Sequence, residues 1–235
     1  MICDERQESI MNERRKYFIL VLAMSFFIMT ILTGCRPWTI VKNDERTKDE
    51  NGVYFSNTDF DVNAYVNDIW DNKLFPYYDE KKQDAAAVLS DIKNDVDAAG
   101  ENYGFGSSDQ GSTWNFVIEG KGKVIEVDQA SRAGFMSVDL APYDGTADLK
   151  LQTGPVIKGT SIRDTVDSIK LSDFPNQVLY ASISKTFNGK VLSDVIGKLD
   201  LNTLKDKEIT FLGAFTYTSA DAVMVTPVKI EVGGQ

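Results

Sequence analysis

The sequence predicts an α+β protein: a small N-terminal helical hairpin, then an antiparallel β-barrel interrupted by a helical insertion. Three observations carry this. Apolar residues between 61 and 100 recur every three or four positions, and those from 114 to 151 recur every second position. The longer spacing returns between 160 and 191, before alternation resumes at 209. With 235 residues, 43% hydrophobic and 26% charged, the chain has the composition of a cored protein, which excludes an intrinsically disordered or collagen-like one.

Ahead of the fold, residues 1–34 form an export signal. Asn12-Glu13-Arg14-Arg15-Lys16 is its charged start and Tyr17 to Thr33 its apolar run, at the short end of what spans a bilayer. Leu32-Thr33-Gly34-Cys35 closes it and resembles a bacterial lipobox. That resemblance implies removal of everything before Cys35, a diacylglyceryl thioether on its sulfur, and fatty acyl chains of the palmitate type. The alternative is a membrane-anchoring helix whose cysteine stays free. Met11 is a second candidate start, because Met1 to Ile10 adds nothing a signal needs. Residues 35–57 are a lipid-anchored tether, almost wholly polar from Val41 to Gly52, that holds the body off the lipid surface.

The helical domain spans 58–104. Asp61 caps a helix with Val62, Tyr65, Val66, Ile69 and Trp70 on one face, closed by Phe75 and Pro76. A second helix runs from about Glu80, with Ala85, Leu89, Ile92, Val96 and Ala99 on one face and Gly100 as its stop. A Pro76-containing turn makes the pair a hairpin. At helical spacing, Tyr65, Trp70, Phe75, Tyr77 and Tyr78 are core residues ahead of ligand-stacking ones.

The second domain spans 110–235. Trp114, Phe116 and Ile118 alternate, Gly120-Lys121-Gly122 turns the chain, and Lys123 to Val127 forms the next strand. Met136, Val138 and Leu140 form a third, the turn Pro142-Tyr143-Asp144-Gly145 follows, and Ala147, Leu149 and Leu151 form a fourth. Thr160 or Ser161 caps a short helix carrying Ile162, Val166 and Ile169, and Pro175 starts a longer one weakened by Gly189. Two last strands follow, over 209–217 and 223–232. Pro227 cannot donate to a ladder, so the final strand lies at an edge or is irregular there. Four strands, a helical insertion and two more strands make an oligonucleotide/oligosaccharide-binding (OB)-like barrel with one extra strand. An open antiparallel sheet with helices on one face is the alternative.

Several segments together resemble one bacterial family, the predicted periplasmic lipoproteins called domain of unknown function 2291. They are Tyr65 to Trp70, Trp114-Asn115-Phe116, Val124 to Asp128, Leu151 to Asp164, Asp173 to Gln177 and Val225 to Val228. Gly154-Pro155 through Arg163-Asp164 is the most specific. The resemblance implies a small helical domain beside an OB-like one, and a place beside sugar-type ABC transporter components. It implies no activity.

Composition removes several chemistries. The 35 acidic and 25 basic residues leave a net charge of -10, a field that repels nucleic acid. There is no histidine, so Ser-His and Cys-His nucleophiles and the usual zinc sets are excluded. Cys3 and Cys35, the two cysteines, both precede the body. No cofactor and no metal site is expected. Asp68, Asp71, Asp79 and Glu80, like Asp91, Asp95 and Asp97, lack the order of a calcium loop and are solvated helix charges. The candidate ligand-binding residues are Arg163, Asp164, Gln152, Gln177 and Trp114, gathered by the strand-to-helix junction at Gly159-Thr160-Ser161. In the structural account, Ser161 and Asp164 form a capping box, Arg163 pairs with a carboxylate, and Gln152, Asn176 and Gln177 satisfy buried backbone groups. In the binding account, Arg163 and helix-start amides face an anion or sugar hydroxyls beside Trp114. The expected function is a non-catalytic binding or accessory module, lipid-anchored on the periplasmic side of the envelope and serving an ABC-type sugar uptake system or a sugar-like ligand. The alternative is an envelope glycan hydrolase with paired carboxylates.

Overall fold

The computed structural model describes Lys16 and residues 60–106, 113–221 and 223–233. The signal, Cys35 and the tether therefore lie outside the described residues, Lys16 excepted. Residues from Asp59 onward form one compact unit.

Asp61 caps α1 (Val62–Ile69), its carboxylate accepting from the Asn63 and Ala64 amides. The helix does not close at Pro76. It continues through a π-turn, Trp70–Leu74, into α2 (Phe75–Lys81), where proline stands in the first turn. A π-turn widens the ladder just ahead of Pro76, so the missing N–H falls where a helix start needs no bond. The hairpin's reversal comes instead at Lys82 and at β1 (Gln83–Asp84). The second helix is also two: α3 (Ala85–Asn94), capped by Asp84, and α4 (Val96–Tyr103), capped by Asp95. Asp95 takes extended backbone and accepts from the Asp97 and Ala98 amides, which breaks one predicted helix into two and leaves Gly100 inside the second.

After β2 (Phe105–Gly106), the chain enters β3 (Trp114–Asp128), a single 15-residue strand. The turn expected at Gly120-Lys121-Gly122 is a bend within it. The first part of β3 pairs with β6 (Glu208–Thr216), and from Gly122 on it pairs with β4 (Ala133–Leu140). At Gly122 a Cβ would stand 2.4 Å from Val138 Cγ1, so only glycine lets the strand pass this corner. The remaining strands are β5 (Leu149–Pro155) and β7 (Met224–Val232). Their order β3-β4-β5-β7-β6, closed by β6 on β3, is a five-stranded barrel, with β1 and β2 appended to β3. Closure removes the open-sheet alternative. One pair, β5 with β7, is parallel, so the barrel is not antiparallel throughout. Strand β7 lies between two others, and Pro227 sits opposite Gly213 where the register shifts, which spares the ladder a donor.

The insertion between β5 and β6 holds α5 (Ser161–Asp164) and α6 (Gln177–Lys190). Helix α5 is a single turn, yet Val166 and Ile169 beyond it are buried all the same. Asn176, not Pro175, starts α6 by accepting from the Leu179 amide, and Gly189 lies in its last turn without breaking it. Two cores result. Inside the barrel, Phe116, Ile118, Met136, Leu151 and Phe215 meet Val88 and Ile92 of α3. Outside it, Val117, Leu212, Ala214 and Val228 are covered by Trp70 and Tyr78 of the helical segment and by Ile183 and Phe187 of α6. Residues 115–118 are thus buried on both faces, which anchors the helical segment to the barrel.

Candidate functional site

The strongly patterned segment after β5 builds one wall of a groove of about 400 Å³. Asp164 and Asp167 stand on that wall and Glu80 and Lys81 at the end of α2 on the other, with Gln83, Asn102 and Phe105 among the rest of the lining. The hydroxyls of Tyr78 and Thr165 are hydrogen-bonded at 2.6 Å, and both residues are buried. That contact pins α2 to the segment between Asp164 and Asp167, so the walls hold a fixed separation.

Asp164 is oriented by its neighbours. Arg163 donates to its Oδ1 from Nε at 2.7 Å and from Nη2 at 2.6 Å, and the Thr160 hydroxyl donates to Oδ2. The guanidinium also lies 3.8 Å from the centre of the Tyr180 ring and donates to the Tyr180 carbonyl. The predicted capping box of Ser161 and Asp164 does not form. Ser161 is buried and donates to the Ala214 carbonyl and the Thr226 hydroxyl, tying α5 to the barrel, while Thr160 takes the carboxylate. A one-turn helix packed against a strand makes the inward hydroxyl more useful to the sheet than to the helix start.

The other candidates go elsewhere. Gln152 is buried, donating to the Lys158 carbonyl and Thr226 and accepting from the Lys158 amide, so both its donors and its carbonyl serve the fold. Gln177 is exposed in the first turn of α6. Trp114 donates from its indole to Asp97 at 3.1 Å and packs on Gly100, where a Cβ would stand 2.2 Å from the ring. It lies beneath Gly104 and Gly106, two groove residues, without lining the groove itself. Of the five, Asp164 lines the groove and Arg163 is bonded to it, while Gln152, Gln177 and Trp114 lie outside.

Residues not singled out from sequence complete the site. Asp167, Asn102, Gln83 and Phe105 converge only through the tertiary fold, and no local motif marks them. Burial, and then the nearby Asp167, raise the titration of the Tyr77 hydroxyl behind Phe105. Burial and the hydrogen bond to Asp91 push Tyr103 up to about 12. Both phenols stay neutral across ordinary pH. The displaced carboxylates all move down, Asp68, Glu208 and Glu231 through hydrogen bonds from lysines first and Asp194 through the Ser193 hydroxyl first and then Lys190. Among the described residues, no group of three or more carboxylates or cysteines is placed to hold a metal ion.

The sequence profile of one family, described as predicted periplasmic lipoprotein (DUF2291), matches residues 25–231. The chain belongs to this family. The DUF2291 lipoprotein is exported and held at the cell envelope by a lipid anchor. No curated protein matches it. Among solved structures, it is similar to an OB-fold protein from Thermotoga maritima, with a TM-score of 0.62 at 17% identity, over 74% of this chain and 99% of that one. This likeness establishes the barrel as an OB-fold.

Proposed function

We propose that the lipoprotein is a non-catalytic binding or accessory module, anchored through Cys35, that serves an ABC-type sugar uptake system from the periplasmic face. The groove carries this reading. It is open and polar, and its two walls are pinned by Tyr78 and Thr165. Carboxylates and amides beside an aromatic ring suit hydroxyl-bearing or cationic ligands, and an open groove favours recognition over chemistry that needs water excluded. The link to sugar uptake rests on the family resemblance.

The test is a thermal-shift screen of the full chain in detergent against pentoses, hexoses, nucleosides and periplasmic sugar-binding proteins. A true ligand at about 100 times its Kd stabilises by about 2.7 kcal/mol, which Asp167→Asn should reduce. No shift with any of them would refute the reading. For the anchor, Cys35→Ser should abolish palmitate labelling and processing, because only the thiol takes the diacylglyceryl group. Undiminished labelling would refute the assignment.

A further inference from the structure

Most of the charge that lines the groove is spent inside the protein. Lys81 stands 3.1 Å from Glu80, and the Asp164 carboxylate holds Arg163 on Oδ1 and the Thr160 hydroxyl on Oδ2. Glu80 with Lys81, and Asp164 with Arg163, are each neutral as a pair, so neither selects a charged ligand. Among the described residues, Asp167 is the lining charge without a basic partner, and it is exposed, where salt and water screen it. What stays open is hydrogen-bonding capacity of both kinds. Of the roughly four acceptor positions a carboxylate offers, Asp164 has filled two on Oδ1 and one on Oδ2, which leaves one on Oδ2. Asn102 makes no hydrogen bond among the described residues, and Gln83 uses only Nε2, at 3.5 Å from the Lys81 carbonyl. The groove therefore presents amide donors beside carbonyl and carboxylate acceptors.

A hydroxyl both donates and accepts, an ammonium only donates, and an ionised carboxylate only accepts. Mixed open donors and acceptors with little uncancelled charge thus match hydroxyls best. Phe105, half-buried with its ring 6.4 Å from that of Tyr77, adds an apolar surface to the lining. A volume of about 400 Å³ is near the lower end for small-molecule sites, which suits one or two rings. We propose that the groove takes an uncharged ring bearing several hydroxyls, in preference to the same ring carrying a carboxylate, phosphate or ammonium. This rests on the binding-module reading and gives that module's ligand its chemical class. Asn102 and the open acceptor of Asp164 hold hydroxyls, and Phe105 supports the ring. Arg163 and Thr160, by fixing the Asp164 carboxylate, are positioning residues. Asp167 and the net charge of -10 turn anions away.

The test uses the full chain in a non-ionic detergent without a sugar headgroup, and probes matched on one ring: glucose, glucosamine and glucuronate; ribose and ribose 5-phosphate; adenosine and its monophosphate. Periplasmic sugar-binding proteins are tested beside them. Trp114 lies under Gly104 and Gly106, where a Cβ would stand 3.0 and 3.2 Å from its ring, so its emission reports groove occupancy, with Trp114→Phe as the control. At least one uncharged probe should bind, about threefold or more tighter than its charged counterpart. Asn102→Ala and Asp167→Asn change exposed side chains, so the melting temperature of the free protein should hold in both. Asn102→Ala should weaken binding about three- to tenfold, and Asp167→Asn should narrow the gap between the uncharged ring and its anionic counterpart. A charged counterpart that binds as tightly as the uncharged ring would overturn the proposal and leave the binding-module reading standing. An affinity that neither variant moves would do the same, as would binding of a sugar-binding protein with no response to any small probe. No response to any of them would overturn both.

Discussion

Arg163 separates structure from recognition most directly. Its side chain is 11% exposed and that of Asp164 is 23% exposed. Both strong donations, from Nε and Nη2, end on the one oxygen Oδ1, so the pair is not a two-toothed fork meeting two oxygens. Breaking a fully buried pair costs about 3–5 kcal/mol. Here the partner is the adjacent residue, water reaches its carboxylate, and Thr160 continues to hold Oδ2, which lowers that figure. Adding the lost stacking on Tyr180, Arg163→Ala should cost about 2–3 kcal/mol. For a body of this size that is a fall of about 4–12 °C in Tm. Arg163→Lys should recover about half, keeping the charge but losing planarity and stacking. The assay is thermal unfolding of the full chain by circular dichroism, with Arg163→Ala combined with Asp164→Asn to measure the coupling. A coupling near zero, or an Arg163→Ala protein that melts with the wild type, would refute the structural role and turn attention to Arg163 as a ligand contact.

Three further outcomes follow from the packing and the charges. Trp70 is 4% exposed between Phe75 and Phe187, so Trp70→Ala should cost about 3–5 kcal/mol in denaturant unfolding. Gly100→Ala drives a methyl into the Trp114 ring and should cost about 1–3 kcal/mol, with a shifted tryptophan emission as the indole leaves Asp97. Asp68, Asp194, Glu208 and Glu231 titrate below their ordinary values of 3.8 and 4.5, so their stabilisation is present above those values and lost as pH falls through the folded ones. The melting temperature should therefore be flat from neutrality down to about pH 5 and drop below about pH 4, and Asp194→Asn should flatten the drop.

What the sequence determined by itself was local: a side chain satisfying its own backbone, or a period of two or of three to four. Asp61 announces its helix by capping it, Trp114 to Ile118 announces a strand by alternating, and Pro227 announces an irregular ladder by lacking a donor. The arrangement of Arg163 beside Asp164 was legible because the two are neighbours in the chain. Tertiary structure decided wherever one segment must serve two partners. Gly120-Lys121-Gly122 has the composition of a turn, yet closing the barrel requires one strand to leave β6 and join β4 there, and glycine permits the close approach to Val138. Pro76 has the look of a terminator, but the π-turn ahead of it leaves its missing donor uncalled for. Ser161 caps by pattern and binds the barrel in fact, because a buried hydroxyl goes to the nearest unsatisfied carbonyl whatever its distance in the chain. The groove is of this second kind: Glu80, Asn102 and Asp167 are remote in sequence, and only helix packing on a closed barrel brings their side chains to one place.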